Sequence, residues 1–173
     1  MSAARWMLAA LVLAATSSGC TTADAETDAA PCSGEAYSQF DFWVGTWTVM
    51  AGGKRAGTNR IEKVLDGCAL LESWRSAGNH RGHSLTFYDA PRKLWHQTWI
   101  DVAGQPLYLE GRFAGSSMQL EGTRPGEAGT PPVMHRVVWT PLAGGTVRQH
   151  WRSSSDGGRT WTDVFDGYYA VVR

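Results

Sequence analysis

From residue 40 to the end of the chain, apolar and polar residues alternate over short stretches, and turn-forming residues interrupt them about every ten positions. Leu107 and Leu109, for example, share one side of their stretch, and Tyr108 takes the other. Side chains on a strand point to opposite faces with a period of two, so each stretch has one side for a core and one for water. The pattern predicts an all-β protein of short antiparallel strands.

Glycine, aspartate, asparagine and proline mark the reversals and divide the chain into about ten predicted strands. These are residues 43–50, 58–64, 69–77, 82–89, 94–101, 106–113, 117–123, 133–140, 145–153 and 160–172. A meander of this length tends to close on itself because closure removes the exposed edges. We therefore expect an up-and-down antiparallel β-barrel, with a two-layer sandwich as the alternative. Ala36 to Phe42 is the best helical candidate, and a helical turn there would plug one end of the barrel.

The first 19 residues differ from the rest of the chain. A basic residue, Arg5, precedes a short apolar run from Met7 to Ala15, and small residues follow. This order is typical of an export signal. The run is too short to persist as a membrane-spanning helix, which needs about 20 residues. We expect residues 1–19 to be removed.

Cys20 directly follows Gly19, and this junction resembles the lipobox of bacterial lipoproteins, in which the cysteine becomes the lipid-modified N-terminus. We expect a periplasmic, membrane-anchored lipoprotein; ordinary secretion with cleavage near Ala23 or Ala25 is the alternative. Residues 20–36 are small, polar and acidic, without apolar periodicity, and this composition is typical of a flexible tether.

Charge and cysteine content narrow the remaining possibilities. Sixteen basic and sixteen acidic residues cancel, and no basic stripe interleaved with aromatic residues is present, so nucleic acid is not an expected partner. If Cys20 carries lipid, Cys32 and Cys68 remain as a pair in an oxidising compartment, and we predict a disulfide between them. It would close a loop of about 36 residues and contribute roughly 4 kcal/mol. Two separate thiols are the alternative.

The segment at the start of the predicted barrel carries a recognisable motif. Its Gly45-Thr46-Trp47 resembles the G-x-W signature near the start of lipocalins and related calycin barrels. Four longer segments resemble, more specifically, a group of bacterial exported proteins with a calycin-like domain of unknown function. They are FDFWVGTW (40–47), GCALLESW (67–74), FYDAPRKLWHQTWID (87–101) and SSDGGRTWTDVFDGYY (154–169). The resemblance implies a calycin-like barrel over residues 37–173 and implies no activity.

In three predicted strands a carboxylate or an amide stands two residues before a tryptophan. Residues two apart on a strand share a face, so an inward face would place these polar groups among indole rings. An aromatic cavity with a few convergent polar groups is typical of a small-molecule site. The alternative is a filled core in which the amides bind the indole N–H groups. The predicted ligand-binding residues are Trp47, Glu72, Trp74, Gln97, Trp99, Gln149 and Trp151.

Glu72 is the one carboxylate that this pattern places inside the barrel. Burial would raise its pKa toward the range useful for general acid or base catalysis. A catalytic pair would need a partner, and no spacing brings the candidates Glu62 or Asp101 near it. We favour a structural ion pair of Glu72 with Arg60 or Arg148, because such pairs also perturb carboxylates.

Five histidines raise the question of a metal or haem. The pair His80 and His83 lacks cysteine or carboxylate partners at a ligating spacing. Nitrobindin-like calycin barrels bind haem through a histidine, and the last predicted strand, where such a ligand would be expected, carries none. We expect solvated or edge histidines and no metal or cofactor. The histidines are His80, His83, His96, His135 and His150.

Residues 154–161 match the Asp-box pattern, S-x-D-x-G-x-T-W, that recurs in sialidase propellers. A single copy does not make a propeller, which would show periodic repeats. We expect a structural hairpin in which the Asp156 carboxylate accepts hydrogen bonds from backbone N–H groups and Trp161 packs beneath.

These observations predict that the protein binds a small apolar or amphipathic molecule in its barrel without catalysis. One alternative is a cell-envelope interaction or scaffolding module with a filled barrel. The other is a small hydrolase or isomerase that uses Glu72. The volume inside the barrel separates the first two possibilities.

Overall fold

A computed structural model describes residues 31–172 of the chain. Ten antiparallel strands each pair with the next one along the chain, and β1 pairs with β10 to close the barrel. The predicted all-β barrel is confirmed, and a sandwich is excluded because the sheet has no free edge. The strands are β1 (Gly45–Ala51), β2 (Lys54–Val64), β3 (Ala69–Ser76), β4 (Arg81–Asp89), β5 (Leu94–Asp101), β6 (Leu107–Ala114), β7 (Ser117–Arg124), β8 (Val133–Leu142), β9 (Thr146–Ser154) and β10 (Thr162–Val171).

The predicted strand bounds agree with the structure to within two residues except at the start of β2. This strand begins at Lys54 rather than at residue 58. Gly52 and Gly53 both have positive φ, so a two-residue reversal suffices and Ala51 pairs directly with Lys54. The predicted alternation also holds, since Leu107 and Leu109 are buried.

The chain enters the barrel through α1 (Glu35–Ser38) and a one-turn 3₁₀ helix (Asp41–Trp43). Phe40 and Trp43 are fully buried, and their rings stack with centroids 4.9 Å apart. The Phe40 ring also meets Trp95 and Trp139 edge-on, at 5.8 and 5.2 Å. The predicted helical plug is therefore confirmed. We call the plugged end, where β2, β4, β6 and β8 terminate, the closed end; the opposite end is the mouth.

Two links fasten the plug to the barrel. The disulfide between Cys32 and Cys68 joins the segment before α1 to the reversal between β2 and β3, which confirms the predicted bond. The Lys63 ammonium lies 2.7 Å from the Asp41 carboxylate. The closed end is thus held by a covalent bond as well as by packing.

Several predictions about the N-terminus concern residues before 31. The export signal (1–19), Cys20 and most of the proposed tether (20–36) lie outside the described residues. α1 begins at Glu35, within the segment predicted as tether. Between residues 31 and 172, no helix has the length and apolar character needed to cross a membrane.

Candidate ligand-binding cavity

A cavity of about 190 Å³ lies between the middle of the barrel and the mouth. Apolar cavities of about 150 Å³ are large enough to bind benzene, so this volume suits a small aromatic molecule. The mouth half of the barrel is therefore not filled by its own side chains. Six of the residues predicted to bind a ligand line the cavity, namely Glu72, Trp74, Gln97, Trp99, Gln149 and Trp151.

Trp47, the remaining predicted ligand-binding residue, is buried but does not line the cavity. Its indole N–H donates a hydrogen bond to the Trp43 carbonyl at 3.0 Å, and its ring meets Tyr169 edge-on at 6.2 Å. Trp47 stands early in β1, next to the plug. The structure thus places it in the packing of the closed end.

Glycines on the barrel wall give the aromatic rings their places. A Cβ atom at Gly82 would lie 2.3 Å from Cζ2 of Trp99, and one at Gly167 would lie 2.3 Å from Cε1 of Phe165. Only glycine lets these rings lie so close to the backbone. Trp74 meets Phe165 edge-on at 6.0 Å. The aromatic part of the wall is therefore held in a defined orientation.

Glu72 lies in the cavity wall with only 5% of its surface exposed. One carboxylate oxygen accepts a hydrogen bond from Asn59 Nδ2 at 2.7 Å, and the other accepts one from Ser84 Oγ at 2.6 Å. Burial raises the pKa of Glu72 above its ordinary value, and the two hydrogen bonds oppose that rise. Both donors are neutral, so the carboxylate has polar partners without a balancing charge.

The predicted ion pair of Glu72 with Arg60 or Arg148 is wrong. Arg60 binds Glu62 at 2.7 Å, and Arg148 binds both carboxylate oxygens of Asp166, at 2.7 and 2.9 Å. The reason is the period of two along a strand. Each arginine is adjacent in sequence to an inward-facing residue and therefore points to the outer surface.

A second group of hydrogen bonds lines the interior beside Glu72. The Tyr169 hydroxyl donates to the Gln149 side-chain oxygen, and Asn59 Nδ2 lies 3.5 Å from the Tyr169 oxygen. Burial raises the pKa of Tyr169 well above its ordinary value, so this side chain remains a neutral phenol. Gln97 Nε2 donates to Thr86 Oγ1 at 3.1 Å.

Sequence reasoning missed several of these interior residues, although the signal was present. Ser84 pairs across the sheet with Glu72, and Thr86 pairs with Gln97. Residues directly opposite on antiparallel strands share a face, so extending the inward face from β3 and β5 to β4 identifies both. Asn59, which lies opposite Trp74, follows in the same way.

Trp151 has a different environment from Trp74 and Trp99. Its indole N–H donates to Nδ1 of His135 at 3.0 Å, and the Arg124 guanidinium lies 5.8 Å from its ring centroid. Burial, followed by the charge of Arg124, lowers the pKa of His135. A neutral imidazole can accept the hydrogen bond from Trp151.

His135 also corrects an expectation drawn from the sequence. It is buried, so the prediction that all histidines are solvated or lie at edges is wrong for this residue. The other four, His80, His83, His96 and His150, are exposed or half-buried. Within residues 31–172, no group of three or more histidine, cysteine or acidic side chains is placed to hold a metal ion.

The Asp-box segment forms the reversal between β9 and β10 at the mouth. The Asp156 carboxylate accepts hydrogen bonds from the backbone N–H groups of Arg159 and Thr160, both at 2.9 Å. The Trp161 indole N–H donates to the Gly158 carbonyl at 3.1 Å. The hydrogen bonds that Asp156 accepts lower its pKa to about 2, and the largest contribution comes from the Thr160 hydroxyl. The predicted structural hairpin is confirmed.

Comparison of the sequence with protein-family models gives no match, and comparison with curated proteins gives none either. The resemblance to calycin-like exported proteins therefore stays a prediction. What the cavity can bind is therefore argued from the positions of its own side chains.

Proposed function

We propose that this protein binds a small apolar or amphipathic molecule in its barrel and does not transform it. The observation that carries the proposal is the cavity of about 190 Å³. Its wall combines aromatic and aliphatic side chains with four polar ones, Glu72, His80, Gln97 and Gln149. Apolar walls supply affinity, and a few fixed polar groups orient the ligand.

The surroundings of Glu72 favour binding over catalysis. The titratable Tyr169 side chain lies beside this carboxylate, but its hydroxyl already donates to Gln149, so an acid or base partner for Glu72 would have to be another group. Of the two candidates, Glu62 binds Arg60 on the outer surface, and Asp101 lies 3.4 Å from His80. Glu72 itself is held by two neutral donors. The scaffolding alternative assumed a filled barrel, and the cavity counts against it.

The proposal includes export and anchoring of the barrel through Cys20. A disulfide is typical of an oxidising compartment, and the bond between Cys32 and Cys68 supports a location outside the cytoplasm. Residues 20–30 would then separate the lipid from the folded domain. Mass spectrometry of the protein from its own host tests this part, since an unmodified residue 20 contradicts it.

Titration calorimetry with indole and with 2-phenylethanol tests the binding proposal. Both molecules are small enough for the cavity, and we expect saturable binding of at least one. Val137→Trp should abolish that binding because Val137 is a buried residue of the cavity wall. Val138→Trp is the matched control, since Val138 is the next residue along β8 and faces outward.

Absence of binding to the unaltered protein would contradict the proposal. Equal binding by Val137→Trp and Val138→Trp would contradict it as well, because the ligand would then occupy another site. Far-ultraviolet circular dichroism of both variants establishes that the barrel is intact.

A further inference from the structure

We propose that the ligand is a small organic cation, an amphipathic amine whose ammonium group contacts the Glu72 carboxylate while its apolar part occupies the aromatic cavity. This inference rests on the proposed function and adds the chemical class of the ligand.

The first step concerns the charge of Glu72. Acidic side chains are almost never fully buried unless they are paired, because transferring a carboxylate out of water is costly. In the described part of the chain, the donors to Glu72 are Asn59 and Ser84, and no lysine or arginine forms an ion pair with it. The buried carboxylate therefore has no positively charged partner in this part of the protein, and a cationic ligand can supply one.

The second step concerns the hydrogen bonds that the carboxylate accepts. Asn59 and Ser84 each donate to a different oxygen of Glu72. Asn59 Nδ2 can only donate and the Ser84 hydroxyl is able to donate, so both partners fit the ionised carboxylate that a bound cation would favour. Each oxygen keeps a further lone pair, and Glu72 faces the cavity. An ammonium group there can make a charge-assisted hydrogen bond.

The third step concerns the aromatic wall. Trp74, Trp99 and Phe165 line the cavity together with Glu72. The negative face of an aromatic ring attracts a cation, most strongly for tryptophan and most effectively where water is excluded. The wall already shows this contact on another of its rings, since the Arg124 guanidinium lies 5.8 Å from the Trp151 centroid.

Other charged groups near the mouth are already engaged. Nε2 of His80 lies 3.4 Å from the Asp101 carboxylate. Arg124 donates hydrogen bonds to the carbonyls of Pro106 and Gln105, at 3.1 and 3.4 Å. Among the residues that line the cavity, His80 is the one that can carry a positive charge, and it faces the Asp101 carboxylate. An anionic ligand would therefore meet the Glu72 carboxylate without a free compensating cation, so the cavity selects against it.

Calorimetry with a matched pair of probes tests the inference. 2-Phenylethylamine, protonated at neutral pH, and neutral 2-phenylethanol have nearly the same shape and differ in charge. We expect the unaltered protein to bind the amine at least about tenfold more tightly than the alcohol, and Glu72→Gln to remove that preference. Binding of the alcohol should change little in this variant.

Glu72→Gln is expected to fold because its hydrogen bonds can be kept. Oδ1 of Asn59 has no hydrogen-bond partner in the described part of the chain, so a turned Asn59 amide can accept from the new glutamine N–H₂ while Ser84 still donates to its oxygen. Glu110→Gln is the matched control. Glu110 is an exposed carboxylate that binds Arg92 on the outer surface, and its replacement changes the net charge equally.

The outcomes separate the two proposals. If the alcohol binds as tightly as the amine, or if Glu72→Gln keeps the preference for the amine, the ligand class is wrong and binding in the cavity stands. If neither probe binds, the proposed function itself fails. A loss of preference in Glu110→Gln equal to that in Glu72→Gln would show that overall charge, not contact with Glu72, produces the effect, and it would overturn the inference.

Discussion

Tryptophan has opposite roles at the two ends of this barrel. At the closed end, Trp43 and Trp139 are fully buried, contact each other with ring centroids 5.4 Å apart, and both pack against Phe40. In the mouth half, Trp74 and Trp99 are only partly buried and surround a cavity. The residue type is the same in both places. The indoles fill space where the N-terminal segment enters the ring of strands, and they enclose a cavity in the half that this segment does not reach.

The polar atoms of the two ends differ in the same way. Within residues 31–172, the indole N–H groups of Trp43 and Trp139 have no hydrogen-bond partner. In the mouth half, Glu72, Gln97 and Gln149 each bind a neighbouring side chain. The polar side chains that bind one another thus lie beside the cavity, although Asn59 Oδ1 there also lacks a partner within residues 31–172.

Removing an indole from each end should test this division most strongly. Trp43→Ala should lower the free energy of unfolding by about 3–5 kcal/mol, because it leaves a cavity in a filled core. Trp99→Ala should cost only about 1–2 kcal/mol, since its ring is partly exposed and already borders empty space. Urea unfolding measures both. Equal losses would mean that the two ends are packed alike.

Removing the disulfide should affect stability by a slightly smaller amount. The chain-entropy model gives up to about 4 kcal/mol for a loop of this length, so the double variant Cys32→Ser, Cys68→Ser should unfold at clearly lower urea concentration. Binding of 2-phenylethanol should persist, because the bond lies at the closed end. A double variant as stable as the unaltered protein would show that Phe40 and Trp43 alone hold the plug.

The sequence predicted the barrel well because its determinants are local. Period-two alternation and turn residues define each strand, and consecutive strands joined by short reversals pair with one another. The inward position of Glu72 followed from the same alternation. The predicted partners of Glu72 were wrong because neutral donors, Asn59 and Ser84, bind this carboxylate in place of an arginine. Extending the alternation to β2 assigns Asn59 to the inside and Arg60 to the outside.

The cavity itself could not be predicted from the alternation. Inward-facing tryptophans occur at both ends, and their pattern along the strands is the same. The difference arises from the depth to which Phe40 and Trp43 enter the barrel. It arises also from glycines opposite the rings, such as Gly82, whose role depends on cross-strand register. The depth of the plug and the cross-strand register are both properties of the tertiary structure, which the pattern along a single strand does not contain.

Gly82 gives the next test, which should act on the site more than on the fold. Gly82→Ala places a Cβ 2.3 Å from the Trp99 ring, so the indole must move. We expect a loss of about 1–3 kcal/mol in stability and a loss of most 2-phenylethanol binding. Combining Gly82→Ala with Trp99→Leu should recover much of the stability, since the smaller side chain removes the contact. Additive losses in the double variant would contradict this explanation.

The smallest expected effect concerns the pH dependence of the mouth half through His135. Burial and the charge of Arg124 lower the pKa of this histidine in the folded protein. As the pH falls below the unfolded value of about 6.5, the unfolded chain takes up a proton before the folded one does. Stability is therefore fully present above that value and is lost as the pH falls from it toward the lowered folded pKa.

His135→Gln should remove this pH dependence because a glutamine oxygen can still accept the hydrogen bond from the Trp151 indole N–H without titrating. Urea unfolding at about pH 7.5 and pH 5.5 compares the two proteins across the range in which an unperturbed histidine titrates. His83→Gln, at an exposed position on β4, is the control and should keep the original dependence. The closed end has no buried histidine among residues 31–172, since His135 is the one buried histidine of that range. If His135→Gln loses as much stability on acidification as the unaltered protein, the acid sensitivity does not originate at His135.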